Sequence, residues 1–149
     1  MARKCVKCGA KFSGDLAFCG NDGSVLILDM PAESADLRLG QQLGDYVIAA
    51  PVADGATGRV YEGRHAQTRE KVAVKVLHAH VARDRIALER FKREAEAGKL
   101  MSYPYIVTVI DVGRTGDGSH FMTMEFLHGE ELGETLRRNE KLTPAQIIR

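Results

Sequence analysis

Two sets of residues in this 149-residue chain have types and spacings suited to chemistry. The first is Cys5-x-x-Cys8-Gly9, answered further on by Cys19-x-x-Asp22-Gly23. Two residues between ligands let a tight turn aim both side chains at one ion, and the following glycine lets the backbone turn beneath them. Three thiolates and one carboxylate oxygen are donors that zinc accepts, so the expected site is Cys5, Cys8, Cys19 and Asp22. No histidine lies nearby, which favours a structural over a catalytic ion. No strand–helix unit follows the first pair, so a thioredoxin-like redox motif does not fit. The plain alternative is three reduced thiols on a tail.

The second set is Gly55-Ala56-Thr57-Gly58, followed by Val72-Ala73-Val74-Lys75. Small residues leave backbone amides bare enough to approach phosphate oxygens. Val60 and Tyr61 resume a strand at once, which gives strand–turn–strand and excludes a P-loop, where Gly-Lys-Ser/Thr enters a helix. Alternation puts Ala73, Lys75 and Leu77 on one strand face and Val72, Val74 and Val76 on the other. Lys75 is the one charge in that apolar run, and its ammonium needs an anion. Glu94 is the natural partner, because it shares a helical stripe with Phe91, Ala95 and Gly98. A competing pairing is Arg90 with Glu94 at i, i+4 on the helix surface. A lysine aimed into a glycine-covered space is suited to holding nucleotide phosphates during phosphoryl transfer.

The elements that must position these groups follow from pattern. Residues 1–28 hold all three cysteines and form one small unit, with Phe12 and Phe18 as its minimal apolar cover. So small a unit has almost no core, and metal binding would supply most of its folding energy. Residues 29–40 mix Pro, Ser, Asp and Ala and read as a linker. Residues 41–149 alternate strand and helix signals. Strands are expected over 46–52, 59–65, 71–77, 106–112 and 121–127, and helices over 87–101 and 131–139. Thr143-Pro144 reads as an N-cap with proline at the first helical position, ahead of Ile147 and Ile148. The histidines show no ligand spacing, and the 78/80 pair reads as part of a solvated loop.

Bulk properties narrow the class. Apolar residues make up 44% and charged residues 28% of the chain, and the formal net charge is +1. That balance gives no basic stripe for nucleic acid and makes a zinc-ribbon nucleic-acid protein the weakest reading. No apolar run approaches the ~20 residues of a membrane span, and the N-terminus leads into no secretory h-region. The cytosol is the expected compartment, where cysteines serve as thiols or metal ligands.

Together the motifs from residue 46 onward resemble a bacterial eukaryotic-like (Hanks-type) serine/threonine protein kinase. Residues 52–61 resemble its Gly-rich loop, Val72-Ala73-Val74-Lys75 its lysine strand, and Arg90-Phe91-Lys92-Arg93-Glu94-Ala95 its αC helix. Tyr103-Pro104-Tyr105-Ile106-Val107 resembles its His-Pro-Asn-Ile-Val stretch, and residues 121–129 its last strand and hinge. The resemblance implies an α+β fold: a kinase N-lobe of five antiparallel strands plus the αC helix, with the C-lobe absent and a zinc-ribbon-like knuckle in front. The boundaries are 1–28, 29–40 and 41–149.

The resemblance also implies ATP and Mg²⁺ as cofactors, beside the structural Zn²⁺. Lys75 and Glu94 are the implied catalytic pair. Val52, Ala53, Asp54, Gly55, Ala56, Thr57, Gly58, Val60 and Ala73 would surround the nucleotide, Met124 would be the gatekeeper, and the backbones of Glu125 and Leu127 would meet adenine. Protein Ser/Thr hydroxyls are the implied acceptors, and dimerisation through the N-lobe is an implied partner interaction. Two positions depart from the pattern: Ala53 replaces the first loop glycine, and Thr57 replaces the usual apolar tip. His-Arg-Asp and Asp-Phe-Gly occur nowhere in the 149 residues. These residues alone are therefore expected to be inactive, as part of a longer kinase. The alternative is a non-catalytic nucleotide- or partner-binding module, a half-kinase.

Overall fold

The structure is a computed structural model, and it describes residues 1–31, 36–101 and 103–139. The helix expected at Thr143-Pro144 lies outside the described residues. Among the described residues two antiparallel sheets are present. The first is built from β1 (Ala2–Cys5), β2 (Lys11–Ser13) and β3 (Leu26–Leu28) in the order β2-β1-β3. The second comprises β4 (Gln42–Leu43), β5 (Tyr46–Asp54), β6 (Gly58–His65), β7 (Lys71–Leu77), β8 (Val109–Arg114) and β9 (His120–Glu125), in the order β4-β5-β6-β7-β9-β8. The expected five strands are β5 to β9, and the two-residue β4 is an addition at the edge.

The strand runs dictate this sheet. β7, Lys-Val-Ala-Val-Lys-Val-Leu, has apolar residues on both faces and occupies an interior position between β6 and β9. Tyr46, Ile48, Tyr61, Val72, Val74, Val76 and Phe121 form the core of one face, with Leu39 packed against it. Pro51 sits where β5 has run past β4, whose pairing ends at Val47. It lies between two register shifts in the β5–β6 ladder, the setting that a residue lacking an N–H requires.

α1 (Ala79–Arg83) and α2 (Arg85–Leu100) follow β7. The Asp84 carboxylate caps α2 by accepting from the Ile86 and Ala87 amides at 2.8 and 3.3 Å. Phe91, Ala95 and Gly98 form the buried stripe. They pack with Leu77 and Met122 on the second face of the sheet, together with Val109 and Val112. Gly98 permits the approach: a Cβ there would lie 2.4 Å from Val109 Cγ2. α3 (Leu132–Asn139) ends the described chain.

Two expectations change. β8 starts at Val109 and not at Ile106. The Thr108 amide donates to the Glu125 carboxylate at 2.7 Å, so a side chain ends the ladder there. Residues 36–40 of the expected linker are bound to the large sheet: the Gly40 amide donates to the Ile48 carbonyl at 2.8 Å, and half-buried Leu39 packs against the core.

Candidate functional site

The glycine hairpin joins β5 to β6. The Gly55 amide donates to the Gly58 carbonyl at 3.1 Å. Asp54 accepts from Arg59 Nε at 2.9 Å, and the Arg59 hydrogen bond holds its carboxyl below the ordinary carboxylate range. A further contact was not legible in the sequence. His78 Nε2 donates to the Gly55 carbonyl at 2.9 Å and lies 3.1 Å from the Asp54 carboxylate. The 78/80 pair is thus no free loop, because His78 ties the end of β7 to the hairpin tip.

Register sets the floor. Ala53 pairs with Val60, Val60 with Lys75, and Lys75 with Met122. One step along, Glu62 pairs with Ala73, and Ala73 with Met124. Directly paired residues share a face, so these two rows form one surface. A cavity of about 500 Å³ opens over it. Of the expected nucleotide residues, Ala53, Asp54, Gly55, Thr57, Gly58, Val60, Lys75 and Met124 line it, together with Glu94. Met122, Val109 and Glu131 also line it without having been singled out. Val52, Ala56, Ala73, Glu125 and Leu127 are not among its lining residues, with Val52 and Leu127 exposed and Ala73 buried between Glu62 and Met124 on the neighbouring strands. The Glu125 amide is engaged by the Thr108 carbonyl at 3.0 Å.

Lys75 and Glu94 also face a second cavity, of about 260 Å³, between β7 and α2. Among the described residues no ion pair of 4.0 Å or less joins them, and none joins Arg90 to Glu94. Neither sequence pairing is formed: Lys75 is half-buried and Glu94 is exposed.

The cysteine unit is built from two matching turns. The Cys5 amide donates to the Ala10 carbonyl at 2.9 Å, and the Cys19 amide to the Ser24 carbonyl at 2.8 Å. Gly9 and Gly23 close the turns at φ of 74° and 71°, a region that glycine enters freely. Asp22 therefore stands in its turn where Cys8 stands in the other. One ligand atom from each of Cys5, Cys8, Cys19 and Asp22 lies within 4.8 Å of the others. The Cys8 and Cys19 sulfurs are 3.5 Å apart, and Cys5 Sγ lies 3.4 and 3.6 Å from the two Asp22 oxygens. Zn–S bonds of ~2.3 Å and a Zn–O bond of ~2.0 Å in a tetrahedron give edges of about 3.5–3.8 Å, so the residues fit that ion. The Ser24 amide, 2.9 Å away, holds the Asp22 carboxyl well below its ordinary range, which keeps it an anionic oxygen donor. Phe12 packs on Cys5, Cys19 and Leu26, whereas Phe18 faces away, beneath Arg69.

A twisted antiparallel sheet, a glycine hairpin over a lysine strand, and a helix presenting a glutamate to that lysine define the N-terminal lobe of a protein kinase. Residues 46–149 match the protein kinase domain family, and the chain belongs to it. Among curated relatives, the serine/threonine-protein kinase PknH of Mycobacterium bovis is 32% identical over 117 residues, which is 78% of this chain and 20% of PknH. Pkn3 of Myxococcus xanthus is 31% identical over 70% of this chain and 19% of its own length. The chain thus spans about a fifth of these relatives. The kinase domain of Mycobacterium tuberculosis PknI matches with a TM-score of 0.65 at 25% identity, over 76% of this chain and 45% of that domain.

Proposed function

We propose that this chain is the ATP-binding part of a bacterial serine/threonine protein kinase, which transfers the ATP γ-phosphoryl group to protein Ser or Thr hydroxyls. The observation that carries the reading is the position of Lys75. It stands between Val60 of the glycine hairpin and Met122 of β9, on a cavity wall shared with Glu94. Its ammonium holds the α- and β-phosphates, and Glu94 steadies it once α2 moves in. Backbone amides of residues 53–58 cover the phosphates. Adenine lies against Val60 and Met124 of the cavity wall, with Val52, Ala73 and the backbones of Glu125 and Leu127, which do not line the cavity, at its margin. Mg²⁺ bound with ATP would neutralise phosphate charge.

The acceptor hydroxyl needs a base, and His-Arg-Asp is not among these residues. Residues 1–149 alone therefore bind nucleotide without transferring phosphate. Cys5, Cys8, Cys19 and Asp22 hold a structural zinc ion, for which the reducing cytosol is the fitting compartment. Among the described residues no helix is long and apolar enough to cross a membrane.

The test is thermal unfolding of the chain with and without ATP·Mg, on wild type and Lys75→Met. Stabilisation by nucleotide that Lys75→Met abolishes is the expected result. No stabilisation of the wild type overturns the nucleotide site and favours a partner-binding module.

A further inference from the structure

The knuckle is not a separate bead. β3 packs on β5, and Val25, Leu26 and Ile27 are buried. Gly40, at the entry to the large sheet, leaves room for Val6: a Cβ there would lie 2.9 Å from Val6 Cγ1. Phe18 lies under the Arg69 guanidinium, 4.8 Å from ring centroid to Cζ. At the centre of this contact is Glu62 of β6, which is 7% exposed. Three cations meet its carboxylate: Arg3 of β1 at 3.3 Å, Arg64 at 3.2 Å and Lys71 of β7 at 3.6 Å. Arg3 also donates to the Leu26 carbonyl at 3.4 Å, so its guanidinium ties the knuckle sheet to Glu62.

The position of Glu62 gives this contact its consequence. Glu62 is directly paired with Ala73 and is two residues from Val60 on the same strand face. It therefore belongs to the surface that the nucleotide reading places under adenine. Lys71, which shares its carboxylate, also has its ammonium 3.7 Å from the Phe126 ring centroid, immediately after β9. Arg3, in turn, is two residues from the ligand Cys5 along β1.

We propose that the metal knuckle is a clasp on the nucleotide-binding sheet: a zinc-type divalent ion at Cys5, Cys8, Cys19 and Asp22 stabilises β6 and β7 through the Arg3–Glu62 contact. The proposal rests on the structural-zinc reading above. Metal binding orders the turn that ends β1, which fixes Arg3. A buried carboxylate is held by the cations around it, and losing Arg3, one of three, weakens that compensation and unties the knuckle sheet from β6. The clasp is thereby a thermodynamic link, in which whatever loads the knuckle also holds the sheet.

The test uses the 149-residue chain stripped with a chelator and reloaded with zinc. Hydrogen exchange of β6 and β7 amides is followed by mass spectrometry, and cobalt(II)–thiolate absorption reports metal binding independently. Zinc is expected to slow exchange in β6 and β7 by about tenfold or more. Arg3→Gln and Glu62→Gln are expected to abolish that slowing while leaving the cobalt absorption in place. Arg3→Gln leaves Glu62 with both of its lobe cations, so it answers the question even where Glu62→Gln unfolds the sheet. Cobalt absorption with protection confined to residues 1–28 overturns the clasp and leaves the metal site standing. Absence of cobalt absorption overturns the metal reading and the clasp with it.

Discussion

Lys75 and Glu94 face the same two cavities from β7 and from α2, with no ion pair of 4.0 Å or less between them. Leu77, Ala87 and Phe91 lie alongside them, with Thr57, Asp84 and Arg90 on the same lining. The two charges thus stand across a gap between β7 and α2. Gly98 lets α2 touch Val109 at its C-terminal end, and Phe91 packs on Leu77 and Met122 nearer its start.

Glu94→Gln follows from this geometry. In the free chain Glu94 is exposed and unpaired among the described residues, so the substitution should change unfolding free energy by no more than about 0.5 kcal/mol. With ATP·Mg present the same variant should lose part of the nucleotide-dependent stabilisation, because Lys75 then lacks its steadying anion. Urea unfolding with and without nucleotide measures both. A loss above about 1 kcal/mol without nucleotide would mean that the pair is already closed in solution.

The two hairpin glycines should separate cleanly. A Cβ at Gly58 would lie 2.3 Å from the Val76 carbonyl oxygen, a backbone atom that cannot step aside. A Cβ at Gly55 meets nothing closer than the Gly58 carbonyl at 3.6 Å. Gly58→Ala should cost about 1–3 kcal/mol as overpacking, while Gly55→Ala stays near neutral in the free chain. Thermal unfolding of the two variants decides it. Equal costs would show that the turn itself, and not the approach of β7, selects glycine.

These residues show what could be read from sequence and what could not. Lys75 was legible because one charge in a period-two apolar run is a local pattern, and the α2 stripe of Phe91, Ala95 and Gly98 was legible for the same reason. The paired turns at Cys5 and Cys19 were legible because their spacing is their geometry. His78, Asp36 and Glu62 were not, because each acts on partners more than twenty residues away, at Gly55, Arg59 with Tyr61, and Arg3. The start of β8 is hidden for the same reason: a β-branched run announces a strand from Ile106, but the Glu125 side chain, seventeen residues from Thr108, takes the Thr108 amide.

Asp36 supplies a pH prediction. Its carboxylate accepts from Arg59 and from the Tyr61 hydroxyl at 2.9 Å each, and from the Arg38 amide at 3.0 Å. Burial works to raise its pKa, but those three donors outweigh burial and hold it below the ordinary 3.8. The Tyr61 hydroxyl is pushed up to about 12, by burial first and then by Asp36. A depressed carboxyl contributes stability that is present above its unfolded value and is lost as pH falls through the folded one. Wild type should therefore lose stability below about pH 4 more steeply than Asp36→Asn. At neutral pH Asp36→Ala should cost about 1–3 kcal/mol, with less than additive loss in the double variant with Tyr61→Phe. Parallel pH profiles for wild type and Asp36→Asn would remove Asp36 from the linkage.

The symmetry of the two knuckle turns makes Asp22 the informative ligand. It holds the place that Cys8 holds in the other turn, with the same closing glycine geometry. Asp22→Cys should therefore complete a four-thiolate site without moving the backbone. Zinc should bind about tenfold or more tightly, and the cobalt(II) complex should gain thiolate charge-transfer absorption for one further sulfur. Asp22→Ala should keep the three-thiolate absorption and bind more weakly, with water taking the vacant position. Competition against a chromophoric chelator gives the affinities. If Asp22→Ala binds as tightly as wild type, the carboxylate is a bystander capped by the Ser24 amide, and the fourth ligand comes from elsewhere.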